Sequence, residues 1–260
     1  MDSFAVVASS RPVSWRALLL PREHGSWSLA LEPLVLALLV APSLAGIAIA
    51  VAAVALFLAR RPWQAARAGD ARFGVATGAL GILGATAGAG LLLALAPVTG
   101  SAGLALLATL PAGIAFAWFD RRRAGRTAAA EMCGATFFAG FAAAIVLAAE
   151  GSAPLAIALG AFGVVRSVTS ILTIRTFLRR RKGEAVSSVP ATVTAVSATA
   201  AFFHYGMAAN AWLPAAWTAV FVARAIWLLG PHAPRWTARR LGMTEAVLGV
   251  AVVLSCGLTW

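Results

Sequence analysis

Acidic residues are scarce in this chain, with nine Asp and Glu in 260 residues, and lysine occurs once, as Lys182. Charged residues make up 12% of the sequence, about half the share of a soluble protein. A soluble globular or disordered chain is excluded on that ground. The two cysteines, Cys133 and Cys256, both lie in apolar runs without metal-type spacing and read as buried thiols. Three scattered histidines form no H-E-x-x-H or similar motif. The N-terminal stretch lacks a signal-peptide layout, since its positive residues follow its short apolar segment, and it is read as part of the mature chain.

What is abundant is apolar sequence. Hydrophobic residues make up 61% of the chain, in runs near 26–41, 43–59, 74–96, 102–119, 128–149, 153–175, 186–205, 212–229 and 242–259. As helices these predict nine spans, because 1.5 Å per residue carries each across most or all of a ~30 Å hydrocarbon core. The expected fold class is all-α, a polytopic membrane helical bundle. A segment 1–25 precedes a single transmembrane domain over 26–260. The first run is short and hinges on Pro42, so spans 1 and 2 are expected to form a tight hairpin.

The net charge of +12 does not point to nucleic acid, because the charges sit in alternate loops. Arg11, Arg16 and Arg22 precede span 1. Arg60, Arg61, Arg67 and Arg72 follow span 2, and Arg121, Arg122, Arg123 and Arg126 follow span 4. Arg179, Arg180, Arg181 and Lys182 follow span 6, and Arg235, Arg239 and Arg240 follow span 8. The other loops hold no Lys or Arg. The positive-inside rule then predicts a cytoplasmic N-terminus and an outside C-terminus at Trp260. Twenty arginines against one lysine, with abundant alanine, point to a GC-rich bacterial genome and so to the bacterial cytoplasmic membrane.

Three basic residues fall inside spans: Arg166 and Arg175 in span 6, and Arg224 in span 8. Three acids face them: Glu32 in span 1, Glu131 opening span 5 and Glu245 opening span 9. An arginine at helix centre costs at least ~2.5–3.5 kcal/mol on insertion scales, so it needs a partner or a wet cavity. Two readings fit: structural ion pairs, or a polar cavity open to the cytoplasm and lined by spans 1, 5, 6, 8 and 9. Arg166, Ser170 and Thr173 share one helical stripe that must face protein or water. Arg175, Arg179 and Lys182 form a second stripe with the form of helix-end snorkelling. Gly74, Gly78, Gly81 and Gly88 in span 3 predict a close-packing helix face. Trp212, Trp217 and Trp227 read as interfacial belt residues, and His204 with Tyr205 as an interfacial pair.

The segment before span 1, Pro21-Arg22-Glu23-His24-Gly25-x-Trp27, resembles the signature of the YwiC-like family of bacterial membrane proteins. Glu131 after a basic loop, Ile174-Arg175-Thr176-Phe177 before RRRKGE, and Arg240-x-Gly242-x-x-Glu245 extend the resemblance across the chain. That family carries no established activity, so the resemblance implies a fold more than a reaction. Arg22, Glu23, His24 and Glu32 join Glu131, Arg166, Arg175, Arg224 and Glu245 as candidate ligand-binding residues.

The nine-span layout is also similar to the UbiA-type intramembrane prenyltransferases. FLARR at 57–61 and FLRRR at 177–181 fall where those enzymes carry Asp-rich loops holding Mg²⁺ and a prenyl diphosphate. Here those loops offer only Asp70 and Glu184, too few carboxylates for a Mg²⁺–diphosphate cage, so the metal chemistry does not carry over and no cofactor is expected. Three functions remain open. One is binding of an isoprenoid or other anionic lipid or phosphate ligand, with or without transferase activity. A second is small-anion transport, and a third is a non-enzymatic membrane assembly role through anionic lipids at the cytoplasmic face.

Overall fold

The computed structural model describes residues 18–20, 24–68, 73–95, 100–209 and 212–260. Among them stand nine long helices and no strand: α1 (His24–Val40), α2 (Leu44–Ala68), α3 (Phe73–Leu95), α4 (Gly100–Arg121), α5 (Ala128–Ala148), α6 (Ala153–Arg181), α7 (Val189–Ala209), α8 (Trp212–Leu229) and α9 (Ala238–Thr259). Seven are long and apolar enough to cross a membrane. The exceptions are α1, whose 17 residues rise only ~25 Å, and α7, diluted by Thr192, Thr194, Ser197, Thr199 and His204.

Helix ends lie where local chemistry sets them. Thr127, Ser152 and Thr237 cap α5, α6 and α9, each hydroxyl accepting from the backbone N–H three residues on. Past α6, Gly183 takes a positive φ of 82°, the left-handed conformation that stops a helix with least strain. Two helices run beyond their apolar segments. The arginines at 60, 61 and 67 keep α2 helical to Ala68, and Arg179 to Arg181 extend α6 to 29 residues. Arginine is a good helix former, so a basic stretch ends a span without ending its helix.

The centre of the bundle is α1. It packs chiefly against α5 and α9, less against α2 and α6. The turn at Pro42 is tight, but the expected α1–α2 hairpin is not the main contact, because α2 turns most of its surface to α3 and α5. Around α1 lies the core of Leu34, Leu36, Ile49, Phe138, Ile145, Leu159, Phe162 and Val252. Aromatic edges interlock there, Phe162 meeting Phe202 at 5.5 Å and Phe57 meeting Phe138 at 5.9 Å.

The glycine face predicted for α3 is corrected. Gly74, Gly78, Gly81 and Gly88 have nothing within 4 Å of where a Cβ would stand. Helix α3 instead meets α2 through Ala87, Gly90 and Leu91, on the opposite side. Glycines that take a neighbour's ring stand on α4 and α5. A Cβ at Gly113 would sit 2.8 Å from the Phe137 ring, and one at Gly134 would sit 3.2 Å from Phe116. Each helix thus receives an aromatic ring from the other in a hollow only glycine leaves. Trp217 is also corrected. Its indole N–H donates to Ser255 Oγ at 2.8 Å, which ties α8 to α9 and makes the residue a bundle contact.

Candidate functional site

The intramembrane charges assemble in two tiers. In the deep tier Arg166, 5% exposed, is the hub. Its Nη1 donates to Glu245 Oε2 at 3.1 Å and also to Ser170 Oγ. Its Nη2 donates to the Glu245 carbonyl at 3.3 Å, and its Nε lies 3.5 Å from Glu32 Oε2. Arg224 pairs with the second carboxylate oxygen of Glu245. The Phe221 ring lies 5.3 Å from the Arg166 guanidinium carbon. Two arginines and two glutamates are thus balanced inside the bundle, as desolvated charges must be.

Local sequence makes this tier fit. On α9 a Cβ at position 249 would overlap the Glu32 carboxylate, so Gly249 leaves the space that acid occupies. Near Pro33, Gly163 brings α6 close to α1 and α5, a Cβ there falling 3.2 Å from that of Ala139. The predicted Arg166, Ser170 and Thr173 stripe is buried throughout.

Nearer the basic loops, Arg175 Nη1 donates to Glu131 Oε1 at 2.9 Å, with both side chains about a third exposed. In place of the expected snorkelling, Arg175 forms this cross-helix pair with the acid at the start of α5. Arg179 instead pairs with Glu184 at 2.6 Å.

Sequence reasoning missed the second outer pair. Arg60 grips Asp120 with both fork atoms, Nε to Oδ2 at 2.6 Å and Nη2 to Oδ1 at 2.8 Å. Its guanidinium lies 4.8 Å from the Phe116 ring centre. Arg60 read as a loop charge in the sequence and Asp120 falls just past the apolar run 102–119, yet the Asp120 carboxylate is only 5% exposed. The available signal was an acid in the last turn of span 4 at the depth of an arginine leaving span 2. Gly125 completes the fit, since a Cβ there would overlap Asp120.

Between the tiers lies a cavity of about 280 Å³, near the lower size of small-molecule sites. Its walls are largely apolar, carrying Leu29, Phe57, Phe137, Phe138, Ile171 and Ile174. Its polar groups are Glu32, Arg60, Glu131, Arg166, Arg175 and Glu245, with Ser28, Ser167 and Ser170. Nine residues separate Arg166 from Arg175 on α6, so the tiers are ~13 Å apart along the helix.

Five of the nine predicted residues therefore share one cavity wall. Arg224 does not reach it and stands behind Glu245, so α8 supports the site without lining it, while α2 and α4 join the wall unforeseen. His24 is the first residue of α1. Arg22 and Glu23 lie outside the described residues.

Apolar helices of spanning length, with paired charges enclosed among them, define a multi-pass α-helical membrane protein. Within that class, a family model described as YwiC-like protein matches residues 20–149, half the chain, and the protein belongs to the YwiC-like family. No curated protein and no solved structure matches the chain. The matched half holds α1 to α5 with Glu32, Arg60, Asp120 and Glu131. Arg166, Arg175, Arg224 and Glu245 lie beyond it, and the cavity straddles the two.

Proposed function

We propose that this protein binds an isoprenoid or other lipid with an anionic phosphate head, in the cavity between the two charge tiers. The observation that supports this is one cavity carrying both an aromatic and aliphatic wall and three arginines, Arg60, Arg166 and Arg175. The apolar walls accept a hydrocarbon chain without penalty, being as apolar as the lipid tails it leaves. Arginine forks match phosphate oxygens bidentately without a metal ion. Arg175 is the best placed to receive a head group, because its pair with Glu131 is about a third exposed and gives way at less cost than the buried pairs. The positive-inside rule, applied to the loop charge, supports reading these outer pairs as lying toward the cytoplasmic side of a bacterial inner membrane, with the N-terminus inside. On this reading the scaffold is a UbiA-like bundle in which arginines take the place of the Asp-rich Mg²⁺ motifs.

Mass spectrometry of lipids retained by the detergent-purified protein tests this, with Arg175→Ala beside it. A phosphate-bearing isoprenoid or phospholipid enriched over bulk lipid, and depleted in the variant, is the expected result. Retention of bulk lipid alone, unchanged in Arg175→Ala, would overturn the reading.

A further inference from the structure

The cavity has a side as well as an end. Helix α3 packs on α2 and α4 packs on α5, while the α3–α4 pair shares little contact and α2 and α4 do not pack along each other. What joins α2 to α4 is side chains near the basic loops. Arg60 binds Asp120 and approaches Phe116, and Arg67 Nη1 donates to the Arg121 carbonyl at 3.4 Å. Deeper in the bundle Leu56, one turn before Arg60 on the same face of α2, belongs to the cavity wall and keeps 37% of its surface exposed. It therefore stands where α2 and α4, both lining the cavity, do not pack along each other. Opposite it, Phe116 is half-buried, seated on Gly134, and belongs to the same wall.

We infer that the seam between α2 and α4 is a lateral opening to the bilayer, through which a long polyisoprenyl or acyl chain leaves the cavity while its phosphate head stays at the arginines. This rests on the lipid-binding reading above and narrows the ligand to one resident in the membrane. A cavity of about 280 Å³ encloses only a short length of such a chain. The exterior beyond Leu56 is as apolar as lipid tails, so the rest of the chain loses nothing by lying there. The Arg60–Asp120 pair closes the seam at its polar end and keeps the head group from escaping sideways. Leu56 and Phe116 are the residues that set how bulky a chain passes.

Two probes with the same head separate the outcomes: geranyl phosphate and undecaprenyl phosphate, titrated against the full-length protein in nanodiscs. Both are expected to bind. Leu56→Trp, which fills the seam, is expected to weaken undecaprenyl phosphate by about tenfold, with geranyl phosphate held within about threefold. Leu104→Trp, on the exposed face of α4 and outside the cavity wall, is expected to change neither. Binding of geranyl phosphate with exclusion of undecaprenyl phosphate overturns the seam and leaves the cavity reading standing. Equal loss of both in Leu56→Trp does the same. Binding of neither overturns both readings. Should Leu56→Trp fail to fold, a diazirine-tailed undecaprenyl phosphate on the unmutated protein decides. Adducts on the segments around Leu56 and Phe116 support the seam, and adducts confined to other helices refute it.

Discussion

Helices α3 and α4 and helices α5 and α6 were made from nearly the same alphabet of Ala, Gly, Leu and Phe, yet they do opposite things. Over the apolar windows that cross the membrane, 56% of α5 and of α6 is buried inside the protein, against 22% of α3 and 11% of α4. The first pair of helices faces lipid and carries no charge until its loop ends. The second carries Glu131, Arg166 and Arg175 within or at the edge of its apolar length. Composition alone does not separate them, because lipid and protein interior are equally apolar. What separates them is whether a residue costly in hydrocarbon sits along the helix, since only a helix with partners on that side accommodates one.

The contrast is broken most strongly at its hub. Arg166→Ala leaves Glu32 and Glu245 with one cation between them and is expected to destabilise the protein by about 3–5 kcal/mol. Thermal unfolding of the detergent-solubilised variant reads this as a clear drop in Tm, and an unchanged Tm would contradict the buried network. Arg166→Met combined with Glu245→Gln removes charges of both signs and is expected to regain part of the loss.

Glycines sharpen the comparison with a difference in sign. Gly249→Ala drives a methyl into the Glu32 carboxylate, and about 1–3 kcal/mol of destabilisation is expected from the forced shift. Gly81→Ala on α3 meets open space and is expected to stabilise by up to about 1 kcal/mol through helix propensity. Paired unfolding measurements giving both changes the same sign would mean that one of these helix faces is assigned wrongly. The smallest effect belongs to the outer tier. Arg175→Gln opens a pair already a third exposed, so its stability cost is expected to stay under about 1 kcal/mol while retained lipid falls. A large stability loss would turn Arg175 from a binding residue into a structural one.

Much of this was legible in the sequence. The helical order follows from run length. Glu32, Arg166 and Glu245 announced themselves as residues that need partners, although 79 positions separate Arg166 from Glu245. The pairing itself was not legible, because spacing along a helix fixes a face and not the neighbour that meets it. The α3 glycines misled for the same reason. A small-residue stripe permits close approach without requiring it, and the facing alanines won the contact with α2. Arg60 and Asp120 escaped notice because span boundaries drawn from hydropathy stop where helices do not. The α2–α4 seam had no signal at all, being defined by two helices that each prefer another neighbour.

The central place of α1 bears on how the chain is built. Among the described helices it stands first in the chain, and its packing partners α5, α6 and α9 are made later. At ~5–20 residues per second, Glu32 waits roughly ten seconds for Arg166 to be translated, and longer for α9 to close over it. During that interval the nascent carboxylate lacks the Arg166 guanidinium it pairs with. Biogenesis must therefore shelter α1 at the insertion machinery, or let it dip reversibly, until the last helix locks the first in place.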